Sequence, residues 1–266
     1  MASPGSNPYA KANLDWALYG FMVPHCLIRL YTEKFIDAVE GVRKMQEQKG
    51  TVPVAAAEAF LEWYMEYYYD FVHHHHDIEE SNFFPWINAA LKEKGLGAIP
   101  AKVGTQHEGL VKALNGFKER LGELVEASKA GASGRGKRSE ILATLSRDVR
   151  EFSKELVEHL DEEEANVVPL IRQGLTEGEM MKKEEEIVQA LGLGGAKKAL
   201  PWIMEGLTHF DPTPTKEYAR KFYNNVPGPL RLAMWASWNS SHATQNKGVV
   251  EALGSSETPV KGGACC

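Results

Sequence analysis

The sequence predicts an all-α protein: an antiparallel up-down four-helix bundle followed by a C-terminal helical extension. Three observations lead to this prediction. Apolar residues recur every three to four positions along four long stretches, whereas alternating strand patterns are scarce. Each apolar stripe carries a histidine, and two of the stripes continue into a His-x-x-x-Glu step. Short breaks containing glycine or proline separate the stretches, which is typical of antiparallel neighbours in a bundle.

The helix boundaries follow from these breaks. A short helix at 13–23 is predicted to precede the first bundle helix, because Pro24 suits the first turn of a new helix. The first bundle helix is expected to end near Gln48, and Pro169 is expected to end or bend the fourth. The other predicted helices cover residues 54–80, 83–94, 101–130 and 138–173, followed by 176–191, 195–207, 215–224 and 228–252.

Four parts make up the predicted domain organisation. Residues 1–12 form a flexible N-terminal tail, and residues 13–173 form the bundle. Residues 174–252 form a helical extension that packs on the bundle, and residues 253–266 form a disordered tail. Three residues on the last predicted helix are expected to dock onto the bundle: Arg231, Trp235 and Trp238.

Composition and charge describe an ordinary globular protein, with 43% hydrophobic and 25% charged residues among 266. The net charge of -6 gives no support to nucleic-acid binding, which usually requires a basic surface. No apolar run is long enough to span a bilayer, and the N-terminal residues do not resemble a signal peptide. Three cysteines cannot form a disulfide framework, so a cytoplasmic location is predicted.

The C-terminal pair Cys265-Cys266 resembles the double-cysteine end that some small GTPases use for prenylation. Tails of this composition are more often simply disordered. A membrane contact is therefore expected only if this end is lipidated. The C-terminal helices are instead the expected contact surface for a protein partner.

One thirteen-residue pattern occurs twice, at 75–87 and at 159–171. In both copies a histidine is followed four residues later by a glutamate, and further Glu, Asn, Pro and Ile positions coincide. A His-x-x-x-Glu step places an imidazole and a carboxylate one helical turn apart, so both can reach a single ion. Two such turns that face each other in a bundle can hold a dinuclear, carboxylate-bridged metal centre.

The apolar stripes place these side chains, and one histidine on each remaining bundle helix, in the interior. Burying a polar group without a partner costs roughly 2–7 kcal/mol in an apolar setting. A pair of divalent or trivalent cations can accept the lone pairs of these imidazoles and carboxylates. Metal binding is therefore the simplest interpretation of the pattern. The candidate metal ligands are His25, His75, Glu79, His107, His159 and Glu163.

The run of four histidines on the second helix allows two His-x-x-x-Glu frames. One frame joins His75 to Glu79 and continues the apolar seam. The other joins His76 to Glu80 and leads back along a largely polar stripe. The second copy of the motif has Leu160 at the position of His76, which favours the first frame. His76 lies about 100° around the helix from His75 and stays an additional candidate ligand.

Tyr68 lies on the same seam, two turns before His75. Tyr68 is a candidate hydrogen-bond donor to the metal site, or a candidate oxidisable group. The alternative is that its ring packs in the core while its hydroxyl forms a hydrogen bond elsewhere. No glycine-rich phosphate loop, nucleophile elbow or Cys-x-x-Cys pair offers a competing chemistry.

The order and spacing of these motifs resemble the hemerythrin-like family, also called HHE cation-binding domains. The resemblance rests on single histidines on the first and third helices, on His-His-x-x-Glu-Glu with a following Phe-Pro, and on His-x-x-x-Glu-Glu. It covers about residues 15–173 and implies an up-down four-helix bundle around a non-haem di-iron centre. By this resemblance the terminal ligands would be His25, His75, His107 and His159, and the bridging ligands Glu79 and Glu163.

The chain departs from the oxygen-carrying members of that family in two places. Those members have a second histidine one turn after the third-helix ligand, where this chain has Val111. On the last bundle helix those members have an aspartate one residue further from the histidine than a glutamate would be, whereas this chain has a glutamate, in the step His159-x-x-x-Glu163. Reversible oxygen transport is therefore not the expected function. In some members the residue after the second-helix histidine is a ligand, and that position is His76.

Mixed imidazole and carboxylate ligands suit iron, manganese or zinc, and the resemblance favours two non-haem iron ions (Fe2+/Fe3+) over manganese or zinc. The expected function is to bind or sense dioxygen, a related small oxidant, or the iron level. One alternative is a di-iron oxidoreductase acting on peroxide, nitric oxide or a small organic substrate. Another is iron storage, for which the sequence shows no evident cage-forming signature.

Overall fold

The computed structural model describes residues 7–10, 12 and 14–259. Over these residues the chain is all-α, without a β-strand, and its long helices form the predicted bundle with a helical extension. No helix in this described part is long and apolar enough to cross a membrane. The predictions for the extreme ends of the chain, Cys265 and Cys266 included, lie outside the described residues.

The bundle helices are long, and two π-helical segments interrupt the second one. The helices are α1 (Trp16–Lys49), α2 (Val54–Trp63), α3 (Asp70–Ile78), α4 (Phe84–Glu93), α5 (Ala101–Lys129) and α6 (Arg135–Gly174), with π-helical segments at Tyr64–Tyr69 and Glu79–Phe83. The extension contains α7 (Glu177–Ala190), α8 (Gly192–Phe210), α9 (Glu217–Asn225), α10 (Gly228–Ala233), α11 (Asn239–Ser241) and α12 (Gly248–Gly254), with π-helical segments at Met234–Trp238 and His242–Lys247.

The helix break predicted at Pro24 is wrong, because α1 runs without interruption through this residue and no separate helix covers 13–23. Pro169 does not end α6, which continues to Gly174. The alternative, a bend at Pro169, stays a prediction. An interior proline removes one backbone hydrogen bond and costs roughly 3 kcal/mol. Ile28 and Ile171, which follow the two prolines, are almost fully buried. Packing of these and neighbouring apolar side chains offsets that cost.

The chain divides into two compact units, each with its own core. The first comprises Met1–Leu30, His75–Gly104 and His159–Asn239, and the second comprises Tyr31–His74, Thr105–Glu158 and Ser240–Cys266. This division cuts across the long helices rather than between bundle and extension. The domain boundaries expected from the sequence stay a prediction.

Two apolar clusters form the core of the first unit. The larger one contains Phe21 of α1, Ile87 of α4 and Ile171 of α6, all buried. The smaller one joins α8 to the segments after it and contains Ala196, Leu200, Val226 and Met234, with Trp238 packed against it. The prediction that Trp235 docks onto the bundle is wrong, because this side chain is 79% exposed. The π-helical segment turns Met234 inward and leaves Trp235 on the surface.

A glycine allows α8 to lie close to α1 in the first unit. A Cβ atom added at Gly206 would come within 2.8 Å of the backbone N and Cα of Leu27. Backbone atoms cannot rotate away as the end of a side chain can. Any larger residue at this position would therefore push the two helices apart.

α7 brings a half-buried carboxylate against α1. Glu184 lies beside Gly20, where an added Cβ would come within 2.7 Å of the Glu184 Oε1 atom. Burial raises the pKa of Glu184 to about 7, although the nearby positive charge of Lys221 acts in the opposite direction. Removal from water disfavours the ionised form of a carboxyl group.

The second unit has an aromatic core and a buried arginine. The ring of Phe35 lies 5.1–5.9 Å from those of four other aromatic residues, Phe60, Tyr64, Tyr68 and Phe117. Arg138 is fully buried at the start of α6. Its guanidinium donates hydrogen bonds to the Gln46 side chain and to the carbonyl oxygens of Gly50, Ala127 and Gly131. The side chain of Arg138 thus holds together the loop that follows α1 and the loop between α5 and α6.

The last helical segment of the chain is anchored within the second unit. The indole N–H of Trp63 donates to the Oδ1 atom of Asn246, which is fully buried, at 2.8 Å. Gly41 leaves room for the carbonyl oxygen of Leu253, which would lie 2.0 Å from an added Cβ. The residues from Asn246 to Leu253 are therefore part of this unit's packed structure.

Replacement of Gly206 by alanine is expected to lower the stability of the protein by about 1–3 kcal/mol, because it overpacks the contact between α8 and α1. Gly194 lies on the same helix with open space around its Cβ position, so Gly194→Ala is the matched control. The control should be neutral or raise stability by up to about 1 kcal/mol. Urea unfolding followed by circular dichroism measures both changes, and equal effects of the two variants would contradict the close approach.

Replacement of Glu184 by glutamine is expected to stabilise the protein at pH 8 but not at pH 4.5. The folded-state pKa lies above the usual value for glutamate, so ionisation of Glu184 costs stability as the pH rises from about 4.5 to about 7. The neutral glutamine avoids that cost. Thermal unfolding across this pH range measures the difference, with Glu185→Gln, at an exposed position on the same helix, as control. A difference from the parent that does not grow with pH would refute the burial argument.

Candidate metal centre

The second bundle helix contributes His75, His76 and Glu79 at the point where α3 passes into a π-helical segment. Buried residues along this helix recur at intervals of four, at Tyr68, Val72 and His76. A π-helical turn holds more residues than an α-helical turn, and such turns are frequent at functional sites. His76 is 1% exposed and the His75 side chain 10% exposed, so both adjacent imidazoles face inward.

Two His-x-x-x-Glu steps are formed as the sequence predicts. The His75 Nε2 atom lies 3.4 Å from Glu79 Oε1, and the His159 Nε2 atom lies 3.3 Å from Glu163 Oε1. His159 and Glu163 are almost completely buried on α6, one helical turn apart. In each step the imidazole and the carboxylate therefore share one face of their helix.

His25 of α1 joins these residues from a third helix. It is fully buried, and its Nε2 atom lies 3.4 Å from Glu163 Oε2. Its ring is 5.3 Å from the ring of His75 and nearly perpendicular to it. One donor atom from each of His25, His75, Glu79 and Glu163 lies within 4.8 Å of all the others. The structure thus brings four of the predicted ligands together.

Glu163 is the central residue of this cluster. Its Oε2 atom faces the imidazole of His25, and its Oε1 atom faces the imidazole of His159. The ring of His159 is in turn 5.4 Å from the ring of His76. A carboxylate whose two oxygens face imidazoles from two different helices would be able to contribute one oxygen to each of two metal ions.

The electrostatics of the cluster favour a bound cation. Burial raises the pKa of Glu79 well above its ordinary value, and the negative charge of Glu163 raises it further. Burial acts against protonation of His25, but its contacts with Glu163 and Glu164 outweigh burial and raise its pKa. A bound cation would compete with protons for the lone pairs of these groups and would compensate the buried negative charge.

The donor set fits a transition-metal ion. Imidazole nitrogens and carboxylate oxygens are the ligand types that iron, manganese and zinc accept. The nitrogen–oxygen separations of 3.3–3.4 Å exceed ordinary hydrogen bonds. They match the spacing of neighbouring ligands around an ion with bonds of about 2.0–2.2 Å. His25, His75, Glu79, His159 and Glu163 are therefore suitably placed to hold metal.

His107 lies on α5 and is 4% exposed, so it faces the protein interior. It belongs to the second compact unit, whereas the residues described above belong to the first. Its assignment as a ligand stays a prediction. The exposed His74 and the half-buried His73, whose ring stacks on that of Tyr69, are not part of the cluster.

Tyr68 is fully buried in the aromatic core of the second unit. Its hydroxyl forms a 2.6 Å hydrogen bond with the hydroxyl of Thr32. Burial raises the pKa of Tyr68 above its usual value, so the phenol stays protonated. These contacts of Tyr68 correspond to the alternative in which it packs in the core. The role of Tyr68 as a hydrogen-bond donor to the metal site stays a prediction.

Sequence reasoning missed a polar network around His25. Glu164 lies directly after Glu163 and accepts hydrogen bonds from His25, from Tyr9 and from Arg29. The doubled glutamate, present in both copies of the thirteen-residue pattern, was a signal for this residue. Tyr9 had no comparable signal, because it stands outside any helical stripe.

The fold and the cluster define a class of protein: an all-α bundle with a buried histidine–carboxylate centre. A model of the hemerythrin HHE cation-binding domain matches residues 28–171, which is more than half of the chain. The chain therefore belongs to the hemerythrin HHE cation-binding family. His25 lies just before the matched segment, so its place in the centre rests on the geometry above. No curated protein and no solved structure gives a significant match.

Replacement of Glu163 by glutamine is expected to have opposite effects on metal content and on the stability of the metal-free protein. The variant loses the central carboxylate, so its bound metal should fall to less than half of the parent's. It also removes one of two neighbouring buried carboxylates, which should stabilise the metal-free protein at pH 8 by about 1 kcal/mol or more.

Thermal unfolding in the presence of a chelator, with metal analysis of the untreated protein, measures both effects. Glu162→Gln is the control, because Glu162 pairs with Lys102 at the surface on the same helix. A metal-free Glu163→Gln protein that is less stable than the metal-free parent would argue against electrostatic repulsion in the cluster.

Proposed function

We propose that the protein holds two non-haem iron ions at this centre and binds or senses dioxygen or a related small oxidant. The observation that carries the proposal is the placement of Glu163, whose two oxygens face imidazoles of two different helices. Membership of a cation-binding family supports the same conclusion.

The proposed ligands fall into two groups that share Glu163. One donor atom from each of His25, His75, Glu79 and Glu163 lies within 4.8 Å of all the others, and one ion would be held among them. His159 lies on the side of the Glu163 Oε1 atom, where the second ion would be held. His76, whose ring lies close to that of His159, is a further proposed ligand. His107 is proposed from its burial and its position in the sequence pattern.

Iron is the proposed metal because the ligands combine neutral imidazoles with anionic carboxylates. Two bound iron ions would supply one-electron redox chemistry and positions at which a small oxidant can bind. The two carboxylates would offset much of the positive charge of the ions. The burial of His25, Glu79 and Glu163 would exclude bulk water from the centre.

Binding or sensing is favoured over turnover because imidazoles outnumber carboxylates among the proposed ligands. In the ferritin-like di-iron proteins, glutamates from all four helices contribute, and the sites are richer in carboxylate. A centre of this histidine-weighted kind retains fewer anionic ligands to stabilise highly oxidised iron. The proposed role is therefore to respond to an oxidant rather than to consume a substrate.

Metal analysis of the purified protein after anaerobic loading with iron(II) tests the proposal. We expect about two irons per chain in the parent, and at most about one in His159→Ala, which removes a buried ligand. His74→Ala replaces an exposed histidine beside the cluster and should keep the full iron content. A parent without iron, or a His159→Ala variant with the parent's iron content, would refute the proposed centre.

The same loaded protein distinguishes binding from turnover. Addition of a small excess of dioxygen should change the visible absorption spectrum once and then stop, with uptake of about one dioxygen per pair of irons. An oxygen electrode in the presence of a reductant measures the uptake. Continued consumption over many equivalents, lost in His159→Ala, would instead identify an oxidoreductase.

A further inference from the structure

The two ring nitrogens of His25 face different carboxylates. Its Nε2 atom faces Glu163, whereas its Nδ1 atom lies 2.8 Å from the Oε1 atom of Glu164. An ionised carboxylate can only accept a hydrogen bond, so the proton of a neutral His25 ring lies on Nδ1. The lone pair on Nε2 then points towards the centre, as a metal ligand requires.

Glu164 is held in this position by two further donors. The phenol of Tyr9 donates to the same Oε1 atom at 2.7 Å, and the guanidinium of Arg29 lies 3.3 Å from it. Arg29 also donates to Asp161 at 2.8 Å, which fixes the guanidinium between two acidic residues of α6.

Tyr9 reaches Glu164 from a segment that precedes α1. Residues 7–10 form a turn, and Tyr9 is only 1% exposed. Its ring contacts the edge of Phe210 at the end of α8, with ring centroids 6.4 Å apart. Asn7 donates a hydrogen bond from its side-chain amide to the carbonyl oxygen of Phe210 at 2.7 Å. The C-terminal end of α8 thus clamps the N-terminal segment in place.

Both parts of this clamp lie outside the segment that matches the family model, residues 28–171. Tyr9 precedes that segment and Phe210 follows it. The clamp is therefore formed by residues that the family model does not cover. The clamp positions Tyr9, which donates to Glu164, and Glu164 in turn forms a hydrogen bond with the proposed ligand His25.

We propose that Glu164 and Tyr9 are positioning residues for His25, and that the clamp formed by Asn7 and Phe210 holds them in place. Glu164 fixes the tautomer and the orientation of the imidazole, and Tyr9 fixes Glu164. The relevance of this arrangement to metal binding rests on the proposed function, since it takes His25 to be an iron ligand. Loss of a hydrogen-bond partner behind a metal-binding histidine typically weakens metal binding by about 10–100-fold.

The first experiment measures the tautomer of His25 in the metal-free, full-length protein by two-dimensional 15N NMR of the histidine rings. We expect Nδ1–H to be the main form of His25 in the parent and in Glu164→Gln, whose amide oxygen can still accept the hydrogen bond. In Glu164→Ala the population should shift towards Nε2–H or average between both forms. An unchanged His25 signal in Glu164→Ala would overturn the inference, whether or not the protein binds iron.

The second experiment measures iron(II) affinity by competition with a chelator under anaerobic conditions. Glu164→Ala should bind iron about 10–100-fold more weakly than the parent, and Tyr9→Phe less severely, by about 3–10-fold. Glu164→Gln should recover part of the affinity. Tyr19→Phe is the control, because the Tyr19 hydroxyl donates to the carbonyl oxygen of Tyr218 rather than to this network.

The two experiments separate the inference from the proposed function. A parent without iron affinity would refute the proposed centre, and the NMR result would still decide whether Glu164 orients His25. Parent-like iron affinity in both Glu164→Ala and Tyr9→Phe would overturn the positioning role. So would an equal loss in Tyr9→Phe and Tyr19→Phe, because that result would reflect a general loss of stability.

Discussion

The rest of the structure depends on two carboxylates, those of Glu79 and Glu163, that lie close together in a protein interior. Glu79 is 3% exposed and Glu163 is fully buried. Burial raises the pKa of Glu79, and the negative charge of Glu163 raises it further. Buried acids of this kind are strongly destabilising unless a cation or a proton compensates their charge. Bound cations would therefore contribute to folding as well as to chemistry, since the ligands come from separate helices.

The surrounding chain makes this centre specific in two ways. Both His75 and His76 face inward at the end of α3, so this helix offers one more imidazole than a single His-x-x-x-Glu step. Behind His25, the carboxylate of Glu164 links the centre to Tyr9. A residue before the matched segment thus takes part in the polar network around the proposed centre.

The sequence contained enough to predict the helical bundle and much of the cluster, because both follow from periodicity. A repeated His-x-x-x-Glu step on an apolar seam places its side chains on one inward face whatever the details of packing. The continuity of α1 through Pro24 depends on how much apolar surface is buried around it, which a local pattern does not show. The contact of Tyr9 with Glu164 joins residues 155 positions apart, and no local pattern marks it.

The most direct test of the central claim is the thermal unfolding of the metal-free protein before and after anaerobic addition of iron(II). The account predicts a rise in the unfolding temperature, because ions that bind only the folded state stabilise it by mass action. It also predicts that Glu163→Gln loses most of this rise. A parent protein whose unfolding temperature does not respond to iron would contradict the claim that cations compensate the buried acids and imidazoles.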